Sequence, residues 1–356
     1  MDGVYIHIPF CKSRCIYCDF FSTTYLDRRE DYVRALIQEA QQRISNEGNI
    51  RTIYFGGGTP SMLSVDQLHR ILSAVGSSNV EEITLEANPG DLTLEKLQAL
   101  HQIGFNRISI GIQSFRDEEL SFLGRRHNST QAREAVQYAQ QAGFDNISVD
   151  LMYALPNQSI EDWKFNIAEA LKLHIQHISC YCLTYESMTT LSRLVDERLV
   201  TPADEDTENQ MYDLLCMMLC KEGFERYEVS NFALPGFRSL HNSGYWNNVP
   251  YIGLGAGAHS YDGTKRRWNI ADVPAYIEKV ADNTMYWEEE ILSAEQKEME
   301  QIMLGLRTCE GIPFTDNLLH KAKPYIDSGH LAIKEARLVA TQSGLHILNR
   351  IIEDLA

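Results

Sequence analysis

Short β-forming runs alternate with amphipathic helical stretches along the first half of the chain. Apolar residues recur at helical spacing near 27–45, from 65 onward, and near 92–103, 129–142 and 159–173. Strands are predicted between these helices, at residues 4–8, 52–55, 83–87, 107–112, 147–153 and 177–183. Alternation of this kind produces a parallel sheet, so we predict an α/β fold built on a partial (β/α)6 barrel.

The regular alternation of strands and helices ends after about residue 200. A helix near 204–222 precedes a segment at 224–261 that is rich in Gly, Asn and aromatic residues. Helices near 273–282 and 293–307 follow, and the tail at 329–356 has the pattern of a hairpin and a terminal helix. We therefore predict two units: a barrel domain over 1–200 and a smaller α+β domain over 201–356 with a winged-helix-like tail.

The charge balance bears on the choice of partner. The chain has 32 Lys and Arg against 49 Asp and Glu, a formal net charge of −17. Nucleic-acid binding and attachment to anionic membranes both rely on basic surface, so we expect no nucleic-acid partner and at most peripheral membrane contact. The sequence shows neither a signal-peptide pattern nor a long apolar span, so we expect a cytoplasmic protein with reduced thiols.

Three of the eight cysteines lie close together, directly after the first predicted strand. Cys11, Cys15 and Cys18 form a C-x3-C-x2-C array. Thiolates are the ligands that iron–sulfur clusters prefer, and three of them leave one iron of a four-iron cluster open to another ligand. The alternatives are a zinc site with His7 as fourth ligand, a thiol–disulfide pair at Cys15 and Cys18, or chance. Zinc sites usually pair two C-x2-C knuckles, and no second knuckle is present.

The array at 11–18, with Tyr17 before its last cysteine, is similar to the signature of the radical S-adenosylmethionine (SAM) superfamily. In that superfamily the cysteines hold a [4Fe-4S] cluster whose open iron binds SAM. An electron from the reduced cluster splits SAM into methionine and a 5′-deoxyadenosyl radical. The resemblance therefore implies a [4Fe-4S] cluster on Cys11, Cys15 and Cys18, SAM as a cofactor, and an electron donor as a partner.

A glycine-rich loop, GGGTP at 56–60, ends the second predicted strand. Glycine lets a backbone approach a ligand without a clash from Cβ. In the superfamily this loop lies against the SAM amino group. The resemblance therefore implies SAM contacts at Gly57, Gly58 and Thr59.

The stretch YIHIPFC at 5–11 is similar to the HemN-like branch, the oxygen-independent coproporphyrinogen oxidases and their relatives. There Tyr5 would lie beside the SAM sulfonium, where an aromatic face favours a cation. Purely structural roles are the alternatives: a solvated charge for Arg125, and loop caps for Glu86 and Asp150. The residues that bind ligands in barrels, however, lie at the carboxyl ends of the strands. The further SAM-binding residues that the resemblance implies are Tyr17, Glu86, Gln113, Arg125, Asp150 and Thr184.

One departure separates this chain from the porphyrinogen-oxidising members. Those members carry a further cysteine two residues after the triplet, preceded by glycine, whereas this chain has Asp19 and Phe20. The motifs CDF at 18–20 and HNSGYW at 241–246 are instead similar to the HemW-type haem chaperones. Those proteins bind haem and pass it to respiratory apoproteins.

The HNSGYW motif offers two interpretations. His241 would ligate haem iron while Tyr245 and Trp246 form flat walls for the macrocycle. Alternatively, the two aromatic residues anchor the segment to the core and His241 bonds to backbone.

The resemblance thus implies a haem chaperone with haem as cargo and apo-haem proteins of respiration as partners. The first alternative is an oxygen-independent coproporphyrinogen III dehydrogenase, and porphyrinogen turnover would identify it. A second is a radical SAM enzyme with another substrate, including nucleic acid, which the charge disfavours. A third is a zinc-stabilised interaction protein, which iron and sulfide analysis would separate.

Overall fold

The fold was analysed in a computed structural model that describes residues 2–44 and 50–356. Most of its strands belong to one large sheet. The strands are β1 (Gly3–Ile8), β2 (Thr52–Gly57), β3 (Glu82–Ala87), β4 (Arg107–Gln113), β5 (Ile147–Tyr153), β6 (His177–Cys182), β7 (Glu225–Arg226), β8 (Asn231–Ala233), β9 (Tyr251–Leu254), β10 (His259–Tyr261), β11 (Lys265–Asn269), β12 (Trp287–Ile291), β13 (Ile312–Pro313), β14 (Leu331–Lys334) and β15 (Arg337–Ala340).

Helices connect the strands of the first half and dominate the end of the chain. The helices are α1 (Arg29–Arg43), α2 (Val65–Val75), α3 (Leu94–Gln102), α4 (Asp117–Phe122), α5 (Ser129–Gln141), α6 (Ile160–Leu171), α7 (Thr190–Asp196), α8 (Glu205–Lys221), α9 (Leu240–Trp246), α10 (Val273–Ala281), α11 (Ala294–Gly305), α12 (Asp316–Asp327), α13 (Gln342–His346) and α14 (Leu348–Leu355). The predicted end of the first helix at Ser45 lies outside the described residues.

The six predicted strands form a parallel array. Strands β1 to β6 pair side by side in chain order, each parallel to the next. Helices occupy the crossovers, which is the arrangement that parallel pairing requires. Ser64 begins α2 and accepts a hydrogen bond from the Gln67 amide at 3.2 Å, as expected of an N-cap. The predicted α/β class with a parallel sheet is therefore confirmed.

The sheet extends beyond β1 and β6 with strands from the second half of the chain. β9 lies parallel to β1, and β8 lies antiparallel to β6. In the described part of the chain the full order is β12-β11-β10-β9-β1-β2-β3-β4-β5-β6-β8-β7. The sequence analysis missed these additions because they are two to five residues long and interrupted by glycine and polar residues. A domain boundary near residue 200 stays a prediction, since strands from both sides of it share this sheet.

Side chains of the parallel strands alternate between two environments. In β2, Ile53 and Phe55 are fully buried among the apolar residues of the main core, whereas Tyr54 lines a central cavity. β4 follows the same rule, with Ile108 and Ile110 in the core and Ser109 at the cavity. This two-residue period gives each strand one apolar and one polar face.

A second, smaller core lies near the end of the chain. It is built from α11, α12, α14 and the sheet β13-β15-β14, with Leu306, Leu338 and Ile351 at its centre. These elements have the α+β character expected for the tail. Within the described residues, no helix combines the length and apolar character needed to cross a membrane.

A buried carboxylate joins α1 to the segments that flank β1. Glu39 is fully buried and accepts hydrogen bonds from Arg43, Asn269 and the Gly255 amide, each at 2.8 Å. The Tyr276 hydroxyl donates a fourth at 2.6 Å. Four donors satisfy both oxygens, so this charge is stable only as part of the complete set.

Glu39→Ala is expected to lower the free energy of unfolding by about 3 to 5 kcal/mol, because it leaves buried donors without their acceptor. Urea unfolding followed by circular dichroism measures the loss. Glu30→Ala on the same helix is the matched control. Its carboxylate is half exposed and pairs with Arg70 at 2.8 Å, so its removal should cost less than about 1 kcal/mol. Equal losses in the two variants would contradict the assignment.

Candidate functional site

A cavity of about 720 Å³ opens where the parallel strands end. Parallel strands deliver the residues after their carboxyl ends to one side of the sheet, so loops far apart in sequence meet there. Every residue predicted to hold the cluster or SAM lines this cavity: Tyr5, Cys11, Cys15, Tyr17, Cys18, Gly57, Gly58, Thr59, Glu86, Gln113, Arg125, Asp150 and Thr184.

The cysteine loop is fixed at its base and partly open above. The Cys11 amide donates to the Thr23 carbonyl oxygen at 2.9 Å, and the Thr23 amide donates to the Pro9 carbonyl at 2.7 Å. Cys11 is buried, while Cys15 and Cys18 are half-buried. All three thiols line the same cavity, and burial raises the pKa of Cys11 and Cys18. Such thiols stay protonated until a metal binds and displaces the protons.

Two neighbouring side chains contact the sulfur atoms. The Thr59 hydroxyl lies 3.4 Å from Cys11 Sγ, and Arg125 donates to Cys15 Sγ at 3.4 Å. Arg125 thus places a positive charge beside the sulfur atom of Cys15. The donor set therefore fits an iron–sulfur cluster.

The zinc alternative finds no support in the placement of His7. Its Nδ1 bonds to the Tyr5 hydroxyl at 3.0 Å and its Nε2 to the Phe21 carbonyl at 2.9 Å, so both ring nitrogens are engaged away from the thiols. Across residues 2–44 and 50–356, no group of three His, Cys, Asp or Glu side chains is arranged around a single-ion site. His7 instead braces the cysteine loop, because its partner Phe21 lies three residues after Cys18, the last cysteine of that loop.

Packing within the protein requires glycine at two positions of the glycine-rich loop. A Cβ atom on Gly57, whose φ is +106°, would lie 2.5 Å from His7 Cε1. A Cβ on Gly58 would lie 2.8 Å from the carbonyl carbon of Pro9. The sequence analysis ascribed these glycines to the close approach of a ligand. In the structure their missing side chains let the loop pack on the end of β1.

Two half-buried carboxyl groups occupy the polar side of the cavity. Glu86 accepts hydrogen bonds from the Tyr54 hydroxyl at 2.7 Å and the Gly57 amide at 3.2 Å. Burial raises the pKa of Glu86 to about 7, and the nearby Asp150 acts in the same direction. Asp150 accepts from Ser109 at 3.1 Å, and burial raises its pKa as well. Both groups are poised to bind hydroxyl or amino groups of a ligand.

Unpaired polar atoms point to a missing ligand. Gln113 Oε1 and Arg125 Nε are buried and have no hydrogen-bond partner among the described residues. Gln113 also has a φ of +70°, at a bulge where β4 loses register with β5. A non-glycine residue in the left-handed region carries strain, and such strain concentrates at functional sites. These features fit a polar cofactor in the cavity, as SAM binding requires.

Of the residues predicted to bind haem, His241 and Tyr245 contact each other, whereas Trp246 lines neither described cavity. Tyr245 lines the large cavity, but His241 and Trp246 are not among the described residues that line it. His241 is buried, with Nδ1 2.8 Å from the Thr52 hydroxyl and Nε2 2.8 Å from the Tyr245 hydroxyl. The second interpretation of the motif therefore described the anchoring of His241 better, although its partners are hydroxyl groups rather than backbone. Its role towards iron stays a prediction.

Sequence reasoning missed several residues that shape the cavity. Tyr54 and Ser109 hold the two carboxyl groups, and Asn242 adds a polar side chain from α9. A signal for the first two existed, because each lies two residues before a glycine at the inward face of its strand. Asn242 had no such signal, since the position of α9 depends on tertiary packing.

Glu86→Gln tests the raised pKa directly. A carboxyl group whose pKa rises on folding from 4.5 to about 7 destabilises the fold progressively across that range, on the order of 3 kcal/mol in full. Glutamine cannot ionise. As the pH rises from about 5 to about 8, the free energy of unfolding of the SAM-free variant should therefore fall less than that of the SAM-free parent. Urea unfolding across this range measures it, with the exposed Glu118→Gln as control. Identical pH profiles for parent and Glu86→Gln would refute the buried-acid assignment.

Comparison with known proteins gives a consistent result. The Radical SAM superfamily model matches residues 5–168. The "Heme chaperone HemW" of Lactococcus lactis is 40% identical over 87% of this chain and 83% of its own length. The protein of the same name from Bacillus subtilis is 38% identical, covering 88% and 85% of the two chains.

Among solved structures, the fold is similar to coproporphyrinogen III oxidase (HemN) from Escherichia coli, a radical SAM enzyme. The TM-score is 0.83, with 99% of this chain and 89% of that chain covered, at 20% identity. At this level of identity, the match shows a shared fold only. Superfamily membership implies a [4Fe-4S] cluster and SAM, and the cavity has the donors that both require. Together with the relatives above, these findings show that the chain belongs to the HemW family of the radical SAM superfamily.

Proposed function

We propose that this protein is a cytoplasmic haem chaperone that binds haem and delivers it to apo-haem proteins of respiration. The observation that carries the proposal is the replacement at position 20. Phe20 is 64% exposed and lines the large cavity, where the porphyrinogen-oxidising branch keeps its additional thiol. The names of its relatives in Lactococcus lactis and Bacillus subtilis support the same function.

In this proposal Cys11, Cys15 and Cys18 would hold the cluster, with an electron-donating protein as a partner. When bound, the cluster would supply an open iron for SAM and an electron for its cleavage. Arg125 holds Cys15 through a hydrogen bond to its sulfur, and it also donates to the Gly111 carbonyl at 2.5 Å. The arginine thereby couples the cysteine loop to the end of β4.

The remaining residues orient SAM. Glu86 and Asp150 offer carboxyl oxygens, Gln113 offers an unpaired amide oxygen, and Tyr5 offers an aromatic ring to the cavity. The hydrogen bonds from Tyr54 and Ser109 hold the two carboxyl groups in position. Thr59 completes the wall beside Cys11.

The assignment of the cysteines predicts a loss of iron. Replacing Cys11, Cys15 or Cys18 with Ala should abolish the charge-transfer absorption of the anaerobically reconstituted protein and lower its iron and sulfide content. Cys220→Ala is the matched control, because that thiol is exposed and distant in sequence. Full retention of iron in the three variants would rule out the assignment.

Gln113→Gly separates a role in SAM binding from a role in folding. Glycine adopts a φ of +70° without strain, so the variant should be no less stable than the parent. It should bind SAM about tenfold more weakly, the effect of one lost hydrogen bond. Equilibrium dialysis of the reconstituted protein measures the affinity. Asn79→Gly has a similar φ of +67° outside the cavity and should leave SAM binding unchanged. An unchanged affinity in Gln113→Gly would remove that residue from the site.

The function itself is tested by titrating haem into the reconstituted protein beside a product assay for protoporphyrinogen. We expect saturable haem binding and no SAM-dependent decarboxylation. Because binding of a large apolar plane depends mainly on buried area, removal of His241 should shift the Soret band more than it weakens affinity. Loss of both Tyr245 and Trp246 should weaken binding. Absence of haem binding together with porphyrinogen turnover would favour the dehydrogenase.

A further inference from the structure

One nearly buried carboxylate lies between loops that carry the cluster and SAM residues. Asp91 ends the short turn Pro89–Asp91 that follows β3, and only 5% of its side chain is exposed. It is not among the described residues that line the large cavity. Its hydrogen bonds instead reach the loops that follow β1, β2 and α4. Asp91 therefore joins segments that are far apart in the sequence.

The best-defined partner of Asp91 is a guanidinium. Arg126 donates from Nη1 to Asp91 Oδ1 at 3.3 Å and from Nη2 to Oδ2 at 3.0 Å. Two parallel hydrogen bonds between planar groups fix their orientation as well as their distance. Arg126 lines the large cavity and directly follows Arg125, which bonds to Cys15 Sγ. The pair therefore fixes the loop that carries Arg125.

The same carboxylate reaches the glycine-rich loop and the cysteine loop. The Ser61 hydroxyl donates to Asp91 Oδ2 at 3.2 Å, and Ser61 is fully buried two residues after Thr59. The Lys12 ammonium donates to Asp91 Oδ1 at 3.4 Å and directly follows Cys11. A single side chain thus contacts three loops, each of which carries a residue assigned to the cluster or to SAM.

Asp91 is also the negative charge among several cations. Lys12 and Arg126 both pair with it. Lys96 lies close by: burial lowers its pKa, the charge of Asp91 raises that pKa, and the charge of Lys12 lowers it. Like charges repel more strongly where water is largely excluded. Loss of the carboxylate should therefore push the cationic loops apart.

Resting on the proposed cluster and SAM site, we propose that Asp91 is a positioning residue of that site. It holds the loops that carry Cys11, Thr59 and Arg125 together, against the repulsion of the cations beside them. Asp91 lies outside the cavity and acts through its three hydrogen-bond partners.

A matched pair of neutral variants tests this role. Asp91→Asn keeps the shape of the side chain and removes its charge. Glu169→Gln is the control, because the Glu169 carboxylate is 12% exposed and also pairs with one arginine and one lysine, Arg133 and Lys172. None of these three control residues lines the large cavity. Iron content, SAM affinity by equilibrium dialysis and the free energy of unfolding are measured on both anaerobically reconstituted variants and the parent.

Both variants should lose stability, because each removes a nearly buried carboxylate from two cations. Only Asp91→Asn should weaken SAM binding, by about tenfold, which is the usual effect of a residue that orients ligand-binding groups. Its iron content should stay at the parent level, since the Cys11 amide keeps its hydrogen bond to the Thr23 carbonyl.

Repulsion between the cations gives a further readout that a purely structural role would not change. In the Asp91→Asn background, Lys12→Met removes one of the repelling charges and should recover about threefold of the lost SAM affinity. In the parent background the same substitution removes an attractive contact and should not tighten SAM binding. High salt should also reduce the loss in Asp91→Asn, because screening shortens the range of the repulsion.

Unchanged SAM affinity in Asp91→Asn, or an equal loss in Glu169→Gln, would overturn the role of Asp91. A further loss on adding Lys12→Met to Asp91→Asn would also contradict it. If Asp91→Asn does not fold or hold iron, Ser61→Ala replaces it: this variant removes one hydrogen bond to Asp91 and should weaken SAM binding about fivefold, and an unchanged affinity would overturn the proposal. A parent protein that holds its cluster but does not bind SAM would instead refute the SAM site itself.

Discussion

The two-residue period of the parallel strands determines the chemistry of this protein. Every second side chain joins the apolar core beneath the helices, as Ile53 and Ile108 do, and the others face inward. Many of the inward residues are polar, so each needs a partner in a region from which bulk water is excluded. How these partners are supplied differs between the two ends of the strands.

At the amino ends, the second half of the chain supplies the partners. His177 bonds to Ser148 at 2.7 Å and to the Tyr227 hydroxyl at 2.8 Å, and Glu82 holds the start of α9. At the carboxyl ends, Gln113 and Arg125 keep buried atoms without partners among the described residues. Both residues line the large cavity, so this end of the strands is arranged to receive a polar ligand.

The alternation of apolar and polar side chains along the strands could be predicted from the sequence. The partners of the inward polar residues could not. Apolar residues at positions such as Ile53 and Ile110 mark the buried strands, and motifs placed after them identify the lining of the large cavity. Contacts between distant segments leave no local trace. The hydroxyl of Thr52 and the imidazole of His241 meet across 189 positions, so the burial of that histidine could not be predicted from its aromatic neighbours.

Local pattern identified the glycines at 57 and 58 but not the packing that they allow. Both glycines line the large cavity, and a Cβ atom on either would also clash with His7 or Pro9. A motif therefore identifies where backbone atoms approach one another closely, but it does not say what approaches them. Gln113 is the more informative residue, because its left-handed φ and its unpaired oxygen occur together at the lining of the large cavity.

The charge of the large cavity also bears on which ligand it accepts. The large cavity contains Glu86 and Asp150, whose ionisation burial already opposes, and the propionates of haem would add further negative charge beside them. SAM brings a sulfonium and an ammonium group, which two carboxyl groups favour. The charge of the large cavity therefore favours a cationic cofactor over an anionic one.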